Sequence, residues 1–279
     1  MVTFLPAPIG NLQDITLHTL EALKQCDVLL CEDTRVSRKL VTLLVERGLL
    51  PHKNYIYYSF HTHNQKEFLA QNTLDFFYQK IGFLSDAGMP CVSDPGVELV
   101  RYLQENNIPF EILGGISAVT LMVALSGIIE KEFTFLGFPP HKLKDKIEFF
   151  LFAFKSPYPI ILYESPHRLL KSLTLMEQID KDRQIFLAKE LTKKYQKTFK
   201  GSLESILKVF KKTDNEVLLK GEWAMVVDCA GEIGSCMLSE EMLLSLEIPP
   251  KIKAKILAKM KGGNASDYYQ DLIRMSKKI

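Results

Sequence analysis

The chain has few of the features that mark secreted, membrane or zinc-binding proteins. Its 279 residues include five cysteines, with no Cys-x-x-Cys pair and no histidines at metal-ligand spacing. The sequence therefore predicts neither a disulfide framework nor a zinc site. No apolar run approaches the ~20 residues that a membrane-spanning helix needs, and the first residues have no basic segment of a signal peptide. We expect a reduced, cytoplasmic protein with no metal and no membrane contact.

A strong net charge and the common nucleotide-binding motifs are also absent. The formal net charge is +2 at pH 7, so a surface for nucleic acid would have to be a local patch. The sequence has no Gly-x-Gly-x-x-Gly after its first predicted strand and no Gly-x-x-x-x-Gly-Lys-Ser/Thr motif. These absences argue against the usual dinucleotide-binding and P-loop sites.

Short β-rich runs alternate with amphipathic runs along most of the chain, which is typical of an α/β fold. The pattern predicts strands over 3–7, 28–31, 55–59, 81–84 and 110–113, and helices over 15–25, 36–46, 67–78, 97–103 and from near Ser117. A second series has strands over 133–138, 160–163, 185–189 and 224–229, and helices over 145–154, 169–178 and 203–210. From about residue 237 the sequence is Lys-rich and helical, with a Gly-Gly break at 262–263. We expect an α/β domain over 1–127, a second over 128–235 and a small helical tail over 236–279.

The segment 85–96, Ser-Asp-Ala-Gly-Met-Pro-Cys-Val-Ser-Asp-Pro-Gly, is the most informative motif. It lies between a predicted strand and a predicted helix, where an irregular loop rich in Gly and Pro suits the ligand-binding edge of an open sheet. Ser93 or Asp94 is predicted to cap the helix, and Pro95 to lie in its first turn. An ordinary tight connection between strand and helix is the alternative interpretation.

Other polar clusters also follow predicted strands. The cluster at 32–39 could hold a phosphate and order a hydroxyl group, although Asp33 or Thr34 could instead cap the next helix. His61 and His63 have no further metal ligands nearby in sequence, which favours a polar loop over a zinc site. Further clusters lie at 6–11, 163–168 and 189–194. Ligand sites favour such strand ends, so these clusters are candidate binding loops.

Several of these segments, taken in order, resemble the tetrapyrrole-methylase-fold methyltransferases, and among them enzymes of small-subunit ribosomal RNA. The segments are PAPIGNLQDIT, EDTRVSRKL, HTHN, SDAGMPCVSDPGVELVR, YESPHRLL and KELTKK, and the match runs to about residue 230. The resemblance implies a two-domain class III methyltransferase fold, usually a homodimer, whose second domain completes the cofactor cleft. It also implies S-adenosylmethionine-dependent methylation of a cytidine ribose 2′-hydroxyl in the decoding region of 16S ribosomal RNA.

The resemblance further implies roles for individual residues. Those expected to hold the amino acid and ribose parts of S-adenosylmethionine are Pro8, Asp86, Ala87, Gly88, Pro90, Ser117 and Ala118, with Tyr163, Leu191 and Ala224 on the adenine side. Glu32 or Asp33 is expected to take or order the hydroxyl proton, with His61 as the alternative. The residues expected to hold RNA phosphates are Arg35, Arg38, Lys39, His63, Asn64 and Arg168.

The sequence departs from the family pattern at the loop 113–117. Leu-Gly-Gly-Ile-Ser stands there in place of the usual Pro-Gly-Pro-Ser, so we expect a more flexible loop and weaker cofactor binding. Two other interpretations stay open. One is a methyltransferase of the same fold with a tetrapyrrole or protein acceptor, and the other is a non-catalytic RNA-binding protein.

Overall fold

The computed structural model describes residues 1–212, 220–229 and 240–276, and within these it contains ten strands and eleven helices. They form two compact units, the first comprising Met1–Leu121 with Leu191–Lys194 and the second Met122–Glu190 with Tyr195–Ile279. The predicted division at residues 127 and 235 remains a prediction, and its second boundary lies outside the described residues. Among the described helices, none has the length and apolar character needed to cross a membrane.

The first unit contains a five-stranded parallel sheet with the order β3-β2-β4-β1-β5. Its strands are β1 (Val2–Leu5), β2 (Val28–Cys31), β3 (Ile56–Ser59), β4 (Ile81–Leu84) and β5 (Phe110–Ile112). The connecting helices are α1 (Leu17–Gln25), α2 (Thr34–Glu46), α3 (Gln65–Gln71), α4 (Val97–Glu105) and α5 (Ala118–Ser126). This arrangement confirms the predicted α/β fold.

Both faces of this sheet are covered, which explains the apolar runs in its central strands. Side chains alternate between the two faces of a strand. Leu29 accordingly packs in one core cluster with Leu5 and Leu84, whereas its neighbour Leu30 packs in the other. A strand buried on both sides has little room for polar groups, so the polar side chains collect after the strand ends.

The second unit contains a mixed sheet with the order β6-β7-β10-β8-β9. Only β6 and β7 are parallel in this sheet. The strands are β6 (Thr134–Gly137), β7 (Ile160–Glu164), β8 (Gln184–Lys189), β9 (Lys197–Ser202) and β10 (Trp223–Val227). The helices are α6 (Leu143–Ala153), α7 (Pro166–Ile179), α8 (Leu203–Lys212), α9 (Glu240–Ser245), α10 (Pro250–Lys261) and α11 (Ala265–Ser276).

Two predicted elements need correction. The helix predicted over 67–78 is interrupted, because Asn72 has extended backbone angles and ends α3 before a short 3₁₀ helix at Leu74–Tyr78. Strand β9 was not predicted at all. Its sequence, Lys-Thr-Phe-Lys-Gly-Ser, is polar because it forms an exposed edge of the sheet, paired only with β8.

A buried ionic network lies at the end of β7. The Glu164 carboxylate is fully buried and pairs with Arg168 Nη2 at 2.6 Å and Lys146 Nζ at 3.3 Å. It also accepts hydrogen bonds from the Ser172 hydroxyl and, at 2.8 Å, from the Ser165 backbone N–H. One carboxylate therefore neutralises two cations that have little access to water.

We expect Glu164→Gln to destabilise the second unit by about 3 kcal/mol, because it leaves two buried cations without a counter-charge. Trp223, the only tryptophan of the chain, lies opposite Glu164 across β10 and β7, so its fluorescence can report urea unfolding. The control is Glu204→Gln, which removes an exposed pair with Lys208 on α8 and should cost less than about 1 kcal/mol. Equal losses of unfolding free energy in the two variants would contradict the expectation.

Candidate functional site

The loops that follow the strands of the first unit lie along one edge of its sheet. All five strands are parallel, so their carboxyl ends meet at that edge. The segments that begin there are 6–11, 32–38, 60–64, 85–96 and 113–117, after β1, β2, β3, β4 and β5 respectively. The sheet thus brings together five polar segments that are far apart in sequence.

The loop 85–96 is held by backbone hydrogen bonds to the loop after β1. The Ala7 N–H donates to the Gly88 carbonyl and the Gly88 N–H donates to the Ala7 carbonyl, both at 2.9 Å. Further along the loop, Cys91 and Ser93 have left-handed backbones, with φ of 70° and 65°. Such angles cost on the order of 1–3 kcal/mol for each non-glycine residue and cluster at functional sites.

The predicted cap of α4 is wrong. The helix begins at Val97, its N-cap is Gly96, and no side chain caps it. Gly96 has a φ of 125°, which side chains disfavour. Ser93 has the left-handed backbone described above, and Asp94 is a desolvated carboxyl group whose pKa responds to the Ser85 hydroxyl. Ser93 and Asp94 therefore shape the loop and do not start the helix.

The loop 113–117 packs closely on the first loop despite having no proline. A Cβ atom on Gly115 would lie 2.1 Å from Cβ of Pro6, whereas one on Gly114 would meet nothing within 4 Å. Ser117 is buried, and its hydroxyl accepts the Val119 N–H at 3.3 Å. The predicted cap near Ser117 is confirmed, since α5 begins at the next residue.

Besides Asp33, three carboxyl groups lie at this edge, those of Glu32, Asp86 and Asp94. Glu32 Oε2 accepts the Asp86 N–H at 3.2 Å, and Asp86 Oδ1 accepts the Asp33 N–H at 3.1 Å. These two bonds join the loop after β2 to the loop after β4. Glu32 and Asp86 are among the site residues predicted from the sequence, whereas Asp94 was predicted as a helix cap, although the Ser-Asp pair at 85–86 is repeated at 93–94.

The environment of these carboxyl groups favours their protonated forms. Desolvation is the main cause that raises the pKa of Glu32 and of Asp86 above their ordinary values. Burial, and then the neighbouring Glu32 carboxylate, raises the pKa of Asp94 to about 7. Groups with raised pKa values in a polar cleft are candidates for proton transfer near neutral pH.

Asp33 lies in a different environment. Its carboxylate accepts the Arg35 N–H at 2.8 Å, which caps α2, and pairs with the Arg35 guanidinium at 2.6 Å. Hydrogen bonds from Arg35 lower the pKa of Asp33 to about 2. A carboxylate with so low a pKa is a weak base, so Glu32 is the stronger candidate proton acceptor of the two.

The segment 61–64 is ordered by its own polar groups. The His63 N–H donates to Nδ1 of His61 at 3.2 Å, and Asn64 Oδ1 accepts the His61 N–H at 2.8 Å. In the neutral ring the proton of His61 is therefore on Nε2. Burial raises the pKa of Glu32, and the charge of His61 partly offsets this by lowering it. Across the described parts of the chain, no three His, Cys, Asp or Glu side chains are grouped to hold a metal ion.

The short segment Leu191–Lys194 belongs to the first unit. Thr192 Oγ1 accepts the Asn11 N–H at 3.2 Å, and a Cβ on Gly10 would lie 2.3 Å from Cγ of Lys193. Leu191 is buried. The structure thus places Leu191 in the same unit as the predicted cofactor residues of the loops after β1, β4 and β5. It adds Thr192 and Lys193, whose contacts the sequence did not predict.

Three of the predicted site residues lie in the second unit. Tyr163 and Ala224 are directly opposite each other on β7 and β10, and the Tyr163 ring packs against Phe135 and Phe138 at centroid distances of 5.0 and 5.4 Å. Arg168 also donates to the Pro139 carbonyl at 3.1 Å, besides its pair with Glu164. The RNA contact predicted for Arg168 remains a prediction, although these internal bonds favour a structural role.

The family model of Tetrapyrrole (Corrin/Porphyrin) Methylases matches residues 1–207. The chain belongs to this family. It is 42% identical over 274 residues to Ribosomal RNA small subunit methyltransferase I of Campylobacter fetus, covering 98% of this chain and 100% of the relative. It is also 42% identical over 287 residues to the protein of that name from Helicobacter pylori strain 26695, covering 98% of each chain.

Solved structures of two other enzymes have the same fold. Diphthine synthase matches with a TM-score of 0.58 at 14% identity, covering 82% of this chain and 89% of that one. Uroporphyrin-III C-methyltransferase from Thermus thermophilus, solved with S-adenosylhomocysteine, matches with a TM-score of 0.51 at 16% identity, covering 81% and 96%. At these identities the likeness shows the fold alone.

The contact of Gly115 with Pro6 yields a test of the loop 113–117. We expect Gly115→Ala to lower the free energy of unfolding by about 1–3 kcal/mol, because the added methyl group overlaps a rigid proline ring. Urea unfolding followed by circular dichroism measures this. Gly114→Ala is the matched control and should stay within about 0.5 kcal/mol of the unchanged protein. A larger effect at Gly114 would contradict the described packing.

The raised pKa of Asp94 predicts a pH-dependent stability. The folded protein holds this proton more tightly than the unfolded chain, in which the carboxyl titrates near 3.8. Its contribution to stability is therefore complete below about pH 4 and is lost as the pH rises to about 7. Asp94→Asn should make the protein more stable than the unchanged chain at pH 8, on the order of 2 kcal/mol, but not at pH 4.

Thermal unfolding at the two pH values measures this difference, with Asp75→Asn on an exposed 3₁₀ turn as the control. An equal effect of Asp94→Asn at both pH values would show that Asp94 does not titrate in this range.

Proposed function

We propose that this protein transfers the methyl group of S-adenosylmethionine to the ribose 2′-hydroxyl of a cytidine in the decoding region of 16S ribosomal RNA. The observation that carries the proposal is the 42% identity, over nearly the full length of both chains, to proteins named Ribosomal RNA small subunit methyltransferase I. The carboxylate cluster at the sheet edge supports the proposal, because it places a proton acceptor beside several positively charged side chains.

The residues of the first unit fit S-adenosylmethionine. Gly88 and Gly115 allow close approach of backbone in the loops after β4 and β5. The Asp86 carboxylate accepts the Asp33 N–H, and Ser117, two residues after Gly115, is buried. We assign the amino acid and ribose parts to Pro8, Asp86, Ala87, Gly88, Pro90, Ser117 and Ala118, and the adenine side to Leu191, Tyr163 and Ala224. When bound, the cofactor supplies an electrophilic methyl group on sulfur.

The chain's own residues position the acceptor. Methyl transfer to oxygen needs the hydroxyl group in line with the methyl–sulfur bond, and such positioning contributes several kcal/mol to the rate. We assign to Glu32 the acceptance of the hydroxyl proton, because its pKa is raised by burial while that of Asp33 is lowered by Arg35. His61, whose charge acts on the pKa of Glu32, can orient the same hydroxyl group.

We assign the substrate RNA to the start of α2 and the segment 61–64. Arg35, Arg38 and Lys39 are exposed on the first turns of α2, directly after Glu32. His63 is exposed and Asn64 partly buried next to His61. Cationic groups beside a proton acceptor fit a polyanionic substrate, since phosphates position the strand while the ribose reacts. We further propose that the protein is a homodimer in the cytoplasm and acts on the small ribosomal subunit.

Methyl transfer from labelled S-adenosylmethionine to small ribosomal subunits that lack this modification tests the proposal. We expect 2′-O-methylcytidine in the nucleoside mass spectrum. Glu32→Gln should reduce the single-turnover rate by about 10²–10⁴-fold with cofactor binding retained, as expected for loss of a general base. Glu98→Gln on α4, whose partner Arg101 lies 2.9 Å away, is the control and should keep the rate.

Three results would contradict the proposal. Incorporation into protein or into a tetrapyrrole would identify another acceptor. Cofactor binding without transfer to any subunit preparation would indicate a binding protein. An unchanged rate for Glu32→Gln would remove Glu32 from the mechanism while leaving the reaction itself in place.

A further inference from the structure

A groove of about 370 Å³ runs along α2 and β3 of the first unit. Its apolar lining comes from Val41 and Val45 of α2 and from Tyr55 and Tyr57 on the neighbouring strand segment. Polar groups line the remainder, namely Arg38, Thr42, Glu46, His52, Lys53 and Asn54. An aromatic and aliphatic floor with polar groups at its rim suits a flat, partly apolar ligand that carries charge.

A stacked pair forms one end of this groove. The guanidinium carbon of Arg38 lies 3.9 Å from the ring centroid of Tyr57, so the planar cation covers the aromatic face. Arg38 is nevertheless exposed, so a further planar group can reach its guanidinium from solvent. Nucleic-acid bases stack on arginine planes in this way when they are not paired in a duplex.

The charges around the groove favour a polyanion. Helix α2 with its two caps carries Arg35, Arg38, Lys39 and Arg47 against two carboxylates, that of Glu46 and that of Asp33, which pairs with Arg35. At the far end, Lys53 pairs with Asp27 at 2.9 Å, and its ammonium group lies 5.6 Å from the Tyr55 ring centroid. His52 and Asn54 beside it are exposed donors. Phosphate groups can therefore find donors at both ends.

Helix α2 begins at the candidate reaction site and also lines the groove. The helix begins at Thr34, directly after Glu32 and Asp33, and Arg38 follows Arg35 on the next turn. Its 13 residues extend about 20 Å, which is long enough to guide a short strand away from the sheet edge. A strand whose ribose lies at Glu32 can thus continue past Arg38 towards His52 and Lys53.

We propose that this groove binds a single-stranded segment of the substrate RNA, with one base stacked on Arg38 over Tyr57, the adjacent phosphate neutralised by the Arg38 charge, and further phosphates near His52 and Lys53. The identity of the RNA rests on the proposed function. The groove itself would bind single-stranded RNA whether or not the methyl group is transferred.

The test measures the binding of a fluorescent single-stranded RNA oligonucleotide to the full chain without cofactor, over a range of salt concentrations. Arg38→Gln should weaken binding roughly tenfold and make the slope of log K against log salt shallower by about 0.7, because one phosphate contact is lost. Arg38→Lys should keep the slope but still weaken binding roughly fivefold, because it retains the charge and loses the stacking plane.

Two further variants sharpen the test. His52→Gln, at the far end of the groove, should weaken binding to a longer oligonucleotide more than to a trinucleotide. Arg101→Gln removes an exposed arginine on α4 and should leave both affinity and salt slope unchanged. Photo-crosslinking with 4-thiouridine should join the RNA to the peptide that contains Tyr57.

Wild-type affinity for both Arg38 variants, or crosslinks confined to other peptides, would overturn the inference. So would a changed sedimentation coefficient for Arg38→Gln with unchanged RNA affinity, which would assign the groove to a protein contact. Methyl transfer to the small subunit is measured separately. If transfer fails while RNA binding responds as expected, only the proposed function falls, and if transfer succeeds while the variants bind normally, only this inference falls.

Discussion

The paired backbone hydrogen bonds between Ala7 and Gly88 are the constraint on which the candidate site depends. They fix the loop after β4 against the loop after β1, and Gly115 then packs on Pro6 from a third loop. Backbone groups that are bound to each other cannot relax towards water, so the left-handed residues Cys91 and Ser93 are held in place. The loops therefore form a pre-organised edge, which is what positioning of two reactants requires.

Electrostatics divides the acidic side chains of this edge into two classes. Asp33 is tied to Arg35 and caps a helix, so it stays ionised and shapes the start of α2. Desolvation raises the pKa of Glu32 above its ordinary value, and burial together with the Glu32 charge raises the pKa of Asp94 to about 7. The pKa values of the neighbouring residues Glu32 and Asp33 are therefore shifted in opposite directions, because Asp33 has a cation beside it and Glu32 is desolvated.

Much of the fold could be predicted from the sequence, because alternating apolar runs and turn residues determine where the buried strands begin and end. Strands β2 and β4 lie at the predicted residues, and Gly262 ends α10 where the Gly-Gly break was predicted. Strand β9 could not be predicted in the same way, since a polar edge strand has no apolar pattern. The polar loops of the candidate site could also be predicted, because their polar and Gly- and Pro-rich composition differs from that of the strands before them. The cap at Gly96 and the environment of Asp94 depend on contacts between distant segments, which no local pattern reports.

Hydrogen exchange measured with and without S-adenosylhomocysteine tests most directly whether this sheet edge is the cofactor site. We expect slower exchange in the segments 85–96 and 113–118 when the product is bound, because both loops would be ordered against it. Unchanged exchange in these two segments, with slowing elsewhere in the chain, would contradict it.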